Sequence, residues 1–146
     1  MSKNIIDSRD LAERLEELWG EFEHWKSDLT DEQLHEIAEL YNRPVQALEE
    51  EDFLDDWMQT TTKGEEYGGI LDLKQEIDSP EWDYGIVFIK DSYFVEYAEV
   101  LADDIGAINR DATWPLNHID WESAANELKT DYCSAKFDGE TYWYRA

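Results

Sequence analysis

The sequence predicts an α+β fold, with a helix-rich N-terminal unit followed by a small α/β unit that ends in a β-hairpin. Apolar residues recur at steps of three and four through the first 60 residues, as in amphipathic helices. β-Branched and aromatic residues concentrate in YGIVFIK (84–90), as in a strand, and Asp138-Gly139 separates two further strand-like segments. We therefore expect an acidic helical region at 1–60, a linker or hinge with a short helix at 61–81, and an α+β region at 82–146.

Three helices are predicted in the N-terminal region. The first begins after a cap at Asp7 or Ser8, the second after a cap at Thr30, and the third has Pro44 in its first turn and runs towards Met58. The residues expected to face inward are Leu11, Leu15, Leu18, Phe22 and Trp25, then Leu34, Ile37, Ala38 and Tyr41, then Leu48, Phe53, Leu54 and Trp57. The stripe of the first helix suits packing within its own domain, which we favour, or the seam of a homodimer.

The later elements are predicted from local signals. Residues 60–69 (TTTKGEEYGG) are rich in Thr and Gly and are expected to form a loop, with a short helix over ILDLKQEI. Residues 91–106 are predicted to form a helix with Gly106 just past its end, and another helix is capped near Asp120. The segments DYCSAKF and ETYWYR flank Asp138-Gly139 and complete the hairpin.

The composition is that of a folded but strongly acidic chain. Its 37 acidic and 12 basic residues give a net charge of −25, while seven Trp, eight Tyr and five Phe supply material for a core. Disordered acidic chains are usually poor in aromatic residues. No cluster of Lys or Arg is present to contact phosphates, so we expect no direct binding to nucleic acid or to an anionic membrane. A basic protein surface is the natural complement.

We expect neither secretion nor membrane insertion. MSKNIIDSRD at the N-terminus has no apolar region, no apolar run approaches the length of a bilayer span, and Cys133 is the single cysteine. We expect Cys133 to be a small buried thiol. These features favour the cytoplasm.

Catalytic and metal-binding motifs are scarce. His35-Glu36 begins like a metalloprotease helix, but Glu39 stands where the second histidine should be. The acidic runs lack the alternating carboxylates and central glycine of a calcium loop. We therefore expect no enzyme activity, no catalytic residue, no metal site and no cofactor.

The acidic stripes remain to be explained. Glu13, Glu17 and Glu21 lie four residues apart, and EEEDFLDDW (49–57) has six carboxylates and no basic residue. Like charges at helical spacing destabilise a helix unless something offsets them. A solvated surface of the kind found in salt-loving organisms, an acidic clamp on one basic protein and mimicry of duplex DNA all fit. Duplex DNA carries one charge per 1.7 Å, so a net −25 matches roughly 40 Å of duplex.

The C-terminal half adds a resemblance. The segments DSYFVEYAEVLADDIGAI, HIDWESAANELKTDY and FDGETYWYR resemble the C-terminal region of phage and plasmid antirestriction proteins of the ArdA type, over about residues 82–146. Members of that family are non-catalytic mimics of bent B-form DNA and are commonly dimers. They occupy the DNA groove of the specificity and methyltransferase subunits of type I restriction-modification enzymes, so the resemblance implies the cytoplasm of a bacterial host cell. They are usually longer, with three small domains, and residues 1–60 do not align with them.

Together these observations predict an acidic mimic of double-stranded DNA that inhibits a DNA-binding host defence enzyme. The expected target is a type I restriction-modification complex; the alternative is an acidic adaptor or inhibitor of a specific basic protein, such as a CRISPR effector, without DNA mimicry. The carboxylates expected to bind the partner are Glu13, Glu17, Glu21, Glu49, Glu50, Glu51, Asp52, Asp55, Asp56, Glu96, Glu99, Asp103, Asp104, Asp120, Glu122, Glu127 and Asp131.

Overall fold

A computed structural model of the chain describes residues 3–109 and 111–145. The chain divides into two compact units. The helical unit is formed by residues 10–75, and the sheet unit by residues 1–9 together with residues 76–146. The predicted α+β class is confirmed.

Four α-helices build the helical unit. They are α1 (Ser8–Ser27), α2 (Asp31–Leu40), α3 (Glu50–Thr60) and α4 (Thr62–Ile77), of which α1 and α4 extend a few residues beyond the unit. The predicted inward stripe of α1 is confirmed, since Leu18 and Phe22 are fully buried within the chain. The ring of Trp57 lies 5.2 Å from that of Phe22 and 5.6 Å from that of Tyr67, so aromatic contacts form much of this core.

The second helix begins as predicted. The side chain of Thr30 accepts a hydrogen bond from the backbone N–H of Gln33 at 3.2 Å, and the Gln33 side chain accepts one from the Thr30 N–H at 2.8 Å. This reciprocal pair is a capping box. Ile37 and Ala38 are buried on the inner face of α2, as expected.

The start of the third helix was predicted wrongly. Pro44 precedes a short 3-10 turn (Val45–Ala47), Leu48 is extended, and α3 begins at Glu50. The break is stabilised by Asp52, whose Oδ2 accepts the backbone N–H of Glu49 at 3.0 Å. Part of the acidic run therefore caps a helix.

The predicted loop at 60–69 is also wrong, because α4 runs through it. Thr61 Oγ1 accepts the Gly64 N–H at 2.9 Å and caps the helix. A Cβ on Gly64 would lie 1.9 Å from the carbonyl oxygen of Trp57. The glycine that suggests a loop in the sequence is instead required where the start of α4 lies against α3.

The sheet unit has four antiparallel strands in the order β1-β2-β4-β3. They are β1 (Ile5–Asp7), β2 (Val87–Lys90), β3 (Cys133–Phe137) and β4 (Glu140–Tyr144). The hairpin is confirmed, and its turn has positive φ angles of 51° at Asp138 and 74° at Gly139. Strand β1 was not predicted; its pairing with β2 brings the start of the chain into this unit.

Two helices complete the sheet unit, α5 (Phe94–Asp104) and α6 (Trp121–Leu128). Both were predicted, and Gly106 follows α5 with a φ of 74°. Ile89 of β2, Phe94 and Ala98 of α5, and Ala125 of α6 form one buried cluster. Cys133, expected to be buried, is exposed, because it begins strand β3 at the edge of the sheet.

Candidate functional site

The exposed carboxylates of the helical unit form the first part of the candidate site. Residues 10–75 contain 20 acidic and five basic residues, a net charge of −15. Of those 20 carboxylates, 17 belong to exposed residues. The three half-buried exceptions are Asp52, Asp55 and Asp56. This unit therefore presents a strongly negative surface.

The like-charge stripe of α1 is partly neutralised inside the unit. Glu13, Glu17 and Glu21 are all exposed, as expected. However, Arg14 Nη1 lies 2.9 Å from Glu17, and Lys63 Nζ lies 2.9 Å from Glu21. The hydrogen bond from Lys63 lowers the pKa of the Glu21 carboxyl. Basic residues of the same unit thus offset part of the repulsion between these glutamates, so an external partner is not needed to explain the whole stripe.

Arg14 also links α1 to α4. Its Nε and Nη2 atoms donate to the two carboxylate oxygens of Glu66 at 2.8 and 2.9 Å, a bidentate arrangement. The hydrogen bonds from Arg14 lower the pKa of Glu66. Among the residues that the structure describes, Glu13 has no ion-pair partner. The stripe therefore contains one unneutralised carboxylate and two paired ones.

The 49–57 stretch receives its missing cations from other elements. Arg43 lies 3.6 Å from both Glu49 and Asp52, and Lys26 Nζ lies 3.5 Å from Glu50. Glu51 is exposed, and no ion pair is found for it within residues 3–109 and 111–145. In the fold, basic residues from outside the stretch therefore neutralise part of its negative charge.

Asp52, Asp55 and Asp56 were expected to be displayed to a partner, but they are half-buried. Asp55 Oδ2 accepts hydrogen bonds from the hydroxyl of Tyr41 and, at 2.8 Å, from Gln59. Burial, and then the neighbouring charge of Asp55, raises the pKa of Asp56. Asp55 thus links α3 to Tyr41 at the end of α2, whereas Asp52 caps α3 itself.

The predicted carboxylates of the sheet unit lie on and after α5 and α6. Glu96, Asp103 and Asp104 are exposed on α5, while Glu99 is half-buried. Asp120 caps α6 by accepting the Ser123 N–H at 3.1 Å, and this hydrogen bond lowers the pKa of Asp120. The other predicted residues of this region are also exposed: Glu122, Glu127 and Asp131.

One acidic face was missed in the sequence. The exposed carboxylates of α2 are Asp31, Glu32, Glu36 and Glu39. No cation pairs with their side chains in the described part of the chain. The signal was available, because these residues lie between the predicted inward positions of the same helix.

The helical unit also contains an open cleft of about 390 Å³. Trp25, Leu29 and Trp57 provide its apolar lining, and Trp57 is almost fully buried. Two polar pairs border it: the ion pair of Glu21 with Lys63 at 2.9 Å, and His24 Nε2 with Asp28 Oδ2 at 3.2 Å. The cleft could not be predicted from the sequence, because tryptophans at helical spacing are usually core residues.

No protein-family model, curated protein or solved structure matches this chain. The resemblance to ArdA-type proteins therefore stays a prediction. None of the helices in the described residues has the length and hydropathy needed to cross a bilayer.

Proposed function

We propose that the protein binds a DNA-binding host defence enzyme as a mimic of duplex DNA and inhibits it by occupying its DNA groove, with a type I restriction-modification complex as the expected target. One observation carries the proposal: 17 acidic residues are exposed on a unit with only five bases. Such a surface complements a groove lined with Lys and Arg. Attraction between the two must weaken as salt is raised.

The charge of the helical unit has the scale of a short duplex. A net −15 corresponds to roughly 25 Å of duplex axis. The 20-residue helix α1 is about 30 Å long, at about 1.5 Å per residue. A single unit can therefore supply the charge of several base pairs over a comparable distance.

Local spacing supports the same proposal. Glu32 and Glu36 are one helical turn apart on α2, and Glu39 follows at the next position of the same face. Side chains at this spacing are separated by about 5–6 Å, similar to neighbouring phosphates. Since no cation pairs with them among the described residues, the α2 face suits a partner better than the partly neutralised α1 stripe.

The resemblance of residues 82–146 to ArdA-type proteins supports the proposal from the other unit. It relates the exposed acids of α5 and α6 to a family that occupies DNA grooves. Carboxylates are exposed there without an ion pair in the described chain at Glu96, Asp104, Asp120, Glu122, Glu127 and Asp131.

Competition against DNA tests this function. Purified type I methyltransferase is mixed with labelled duplex and increasing amounts of the protein, over a salt series. We expect displacement of the duplex at low salt and progressive loss of displacement as salt rises. Absence of displacement at the lowest salt would contradict the proposed target.

Two variants test whether charge carries the competition. The triple variant Glu32→Gln, Glu36→Gln and Glu39→Gln should weaken displacement and flatten its salt dependence, because three unpaired charges are removed. The matched control is Glu21→Gln with Lys63→Gln, which removes one ion pair and leaves the net charge unchanged. It should compete like the wild type.

An acidic adaptor for one basic protein is the second candidate, and the cleft beside Trp25 favours it. The substitution Leu29→Glu separates the two functions, because it puts a charge into the apolar lining and adds one carboxylate to the surface. An adaptor that holds a partner side chain in the cleft would lose most of its binding. A groove mimic would keep its binding or gain slightly.

A further inference from the structure

The sheet unit exposes an apolar segment that charge mimicry does not use. We define it as residues 113–119, between α5 and α6. Trp114 is 76% exposed and Leu116 is 78% exposed, and Ile119 is also exposed. Large apolar side chains exposed together on a charged protein are typical of interaction surfaces.

Local hydrogen bonds organise this segment. The backbone N–H groups of Leu116 and Asn117 donate to the carbonyl oxygen of Thr113 at 2.8 and 3.3 Å, and the His118 N–H donates to the Pro115 carbonyl at 3.0 Å. These hydrogen bonds fix the backbone that carries Trp114 and Leu116. Less conformational entropy is therefore lost on binding than for a disordered tail.

The surrounding charge limits what can cover the segment. Residues 103–122 carry five acids against one arginine, a net charge of −4: Asp103, Asp104, Asp111, Asp120 and Glu122 are the acids. A second copy of the chain would bring its own −25 towards this surface and would be repelled. A partner with an apolar pocket surrounded by Lys or Arg would gain from both the apolar contact and the charge.

We propose that Trp114 and Leu116 anchor the sheet unit in an apolar pocket rimmed by basic residues on a partner protein. This goes beyond the proposed function. Duplex DNA has no exposed group that resembles an indole, so mimicry of DNA gives the exposed side chain of Trp114 no role. The carboxylates govern the salt dependence and the rate of encounter. The two apolar side chains supply affinity that persists at high salt, as buried Trp anchors do in other interfaces.

Two peptide probes test the inference without a defence enzyme. One is an amphipathic Leu/Lys peptide, and the other is a Gln/Lys peptide of equal length and charge. Titration calorimetry should show the Leu/Lys peptide binding about tenfold or more tightly, because only it can cover Trp114 and Leu116. The double variant Trp114→Ala and Leu116→Ser should remove this excess. The control variant Leu40→Ser, which changes a leucine 67% exposed in the helical unit, should keep it.

The peptide experiments test the apolar anchor and do not depend on the proposed function. Equal binding of the two peptides, or an excess that survives the double variant, would overturn the anchor. Self-association of the wild type at high salt that the double variant abolishes would also overturn it, since the occupant would then be a second copy. Duplex displacement from the methyltransferase is measured independently, so its failure would count against groove mimicry alone.

Discussion

At the scale of single residues, a buried polar side chain can join segments that are far apart in the sequence. Ser8 is fully buried within the sheet unit. Its hydroxyl donates to the Trp82 carbonyl at 2.6 Å and accepts the Ile86 N–H at 2.7 Å. One side chain thus satisfies two backbone groups almost 80 residues away in sequence, which positions the end of β1 beside the segment that leads into β2.

The substitution Ser8→Ala should therefore lower the free energy of unfolding by about 2 kcal/mol or more, because a buried N–H and a buried carbonyl both lose their partner. Urea unfolding at neutral pH measures the loss. Ser92→Ala, at an exposed position of the same unit, should change stability by less than about 0.5 kcal/mol. Equal effects of the two substitutions would contradict the assigned role of Ser8.

Asp91 joins α6 and β4 to the start of α5 through a single carboxylate oxygen. Its Oδ1 accepts from Lys129 Nζ at 2.9 Å and from Trp143 Nε1 at 2.8 Å. These hydrogen bonds, that from Lys129 foremost, lower the pKa of Asp91. The pKa of this carboxyl is therefore lower in the folded state than in the unfolded state. Such a group stabilises the fold at pH values above its unfolded-state pKa, and the stabilisation is lost as the pH falls through its folded-state pKa.

The substitution Asp91→Asn should cost about 0.5–1 kcal/mol at pH 7, a modest amount because the site is half-exposed. The difference from the wild type should shrink below about pH 4, where unfolded aspartates begin to protonate. Denaturant unfolding across that range tests this. The control Asp104→Asn, on an exposed carboxylate of α5, should change the free energy of unfolding at pH 7 by less than about 0.5 kcal/mol. A penalty for Asp91→Asn that stays constant as the pH falls would argue against the ion pair.

At the scale of elements, α4 shows how packing overrides a local signal. Its glycines and threonines favour a loop, but Thr61 caps the helix and Gly64 lies directly against the end of α3. Ile70 and Leu73 then bury the far half of the helix in the core. Tertiary contacts therefore stabilise a helix of weak intrinsic propensity.

Two glycines of α4 should respond in opposite directions. Gly64→Ala should destabilise the protein by about 2 kcal/mol or more, because its methyl group would collide with the Trp57 carbonyl. Gly69→Ala should stabilise it by about 0.5–1 kcal/mol, since nothing lies within 4 Å of the added methyl. Thermal unfolding compares the two variants. A stabilising Gly64→Ala would show that α4 does not approach α3 as described.

At the scale of the whole molecule, net charge opposes the compact state. A chain with a charge of −25 repels itself, and added salt screens that repulsion. Ion pairs such as Arg14 with Glu66 are screened as well, but among the residues that the structure describes they are outnumbered by carboxylates without a cation. Salt should therefore stabilise the protein on balance.

Raising NaCl from about 10 mM to about 1 M should increase the free energy of unfolding, because the screening length falls from about 30 Å to about 3 Å. The triple variant at Glu32, Glu36 and Glu39 should show a smaller increase, since less repulsion remains to be screened. Thermal unfolding over the salt series provides the measurement. A decrease in stability with salt would mean that ion pairs, not repulsion, dominate the electrostatics.

Local chemistry made much of this fold predictable. The Thr30 cap, the Asp120 cap and the Asp138-Gly139 turn each depend on atoms within a few residues, and all three were predicted from the sequence. The inward stripe of α1 was predictable for the same reason, because helical periodicity places its residues on one face. Of the candidate site, the exposure of Glu13, Glu17 and Glu21 followed from that periodicity too.

The sequence by itself determined the class of fold, the net charge and the caps of α2 and α6, because these depend on composition and on neighbouring residues. The tertiary structure decided the features that depend on contacts between residues far apart in the sequence. Strand β1 pairs with a segment some 80 residues later, and Arg14 neutralises Glu66 across the helical unit. Asp55 and Asp56 were turned inward by the packing of α3. No local pattern encodes such contacts, because they form only when distant segments meet.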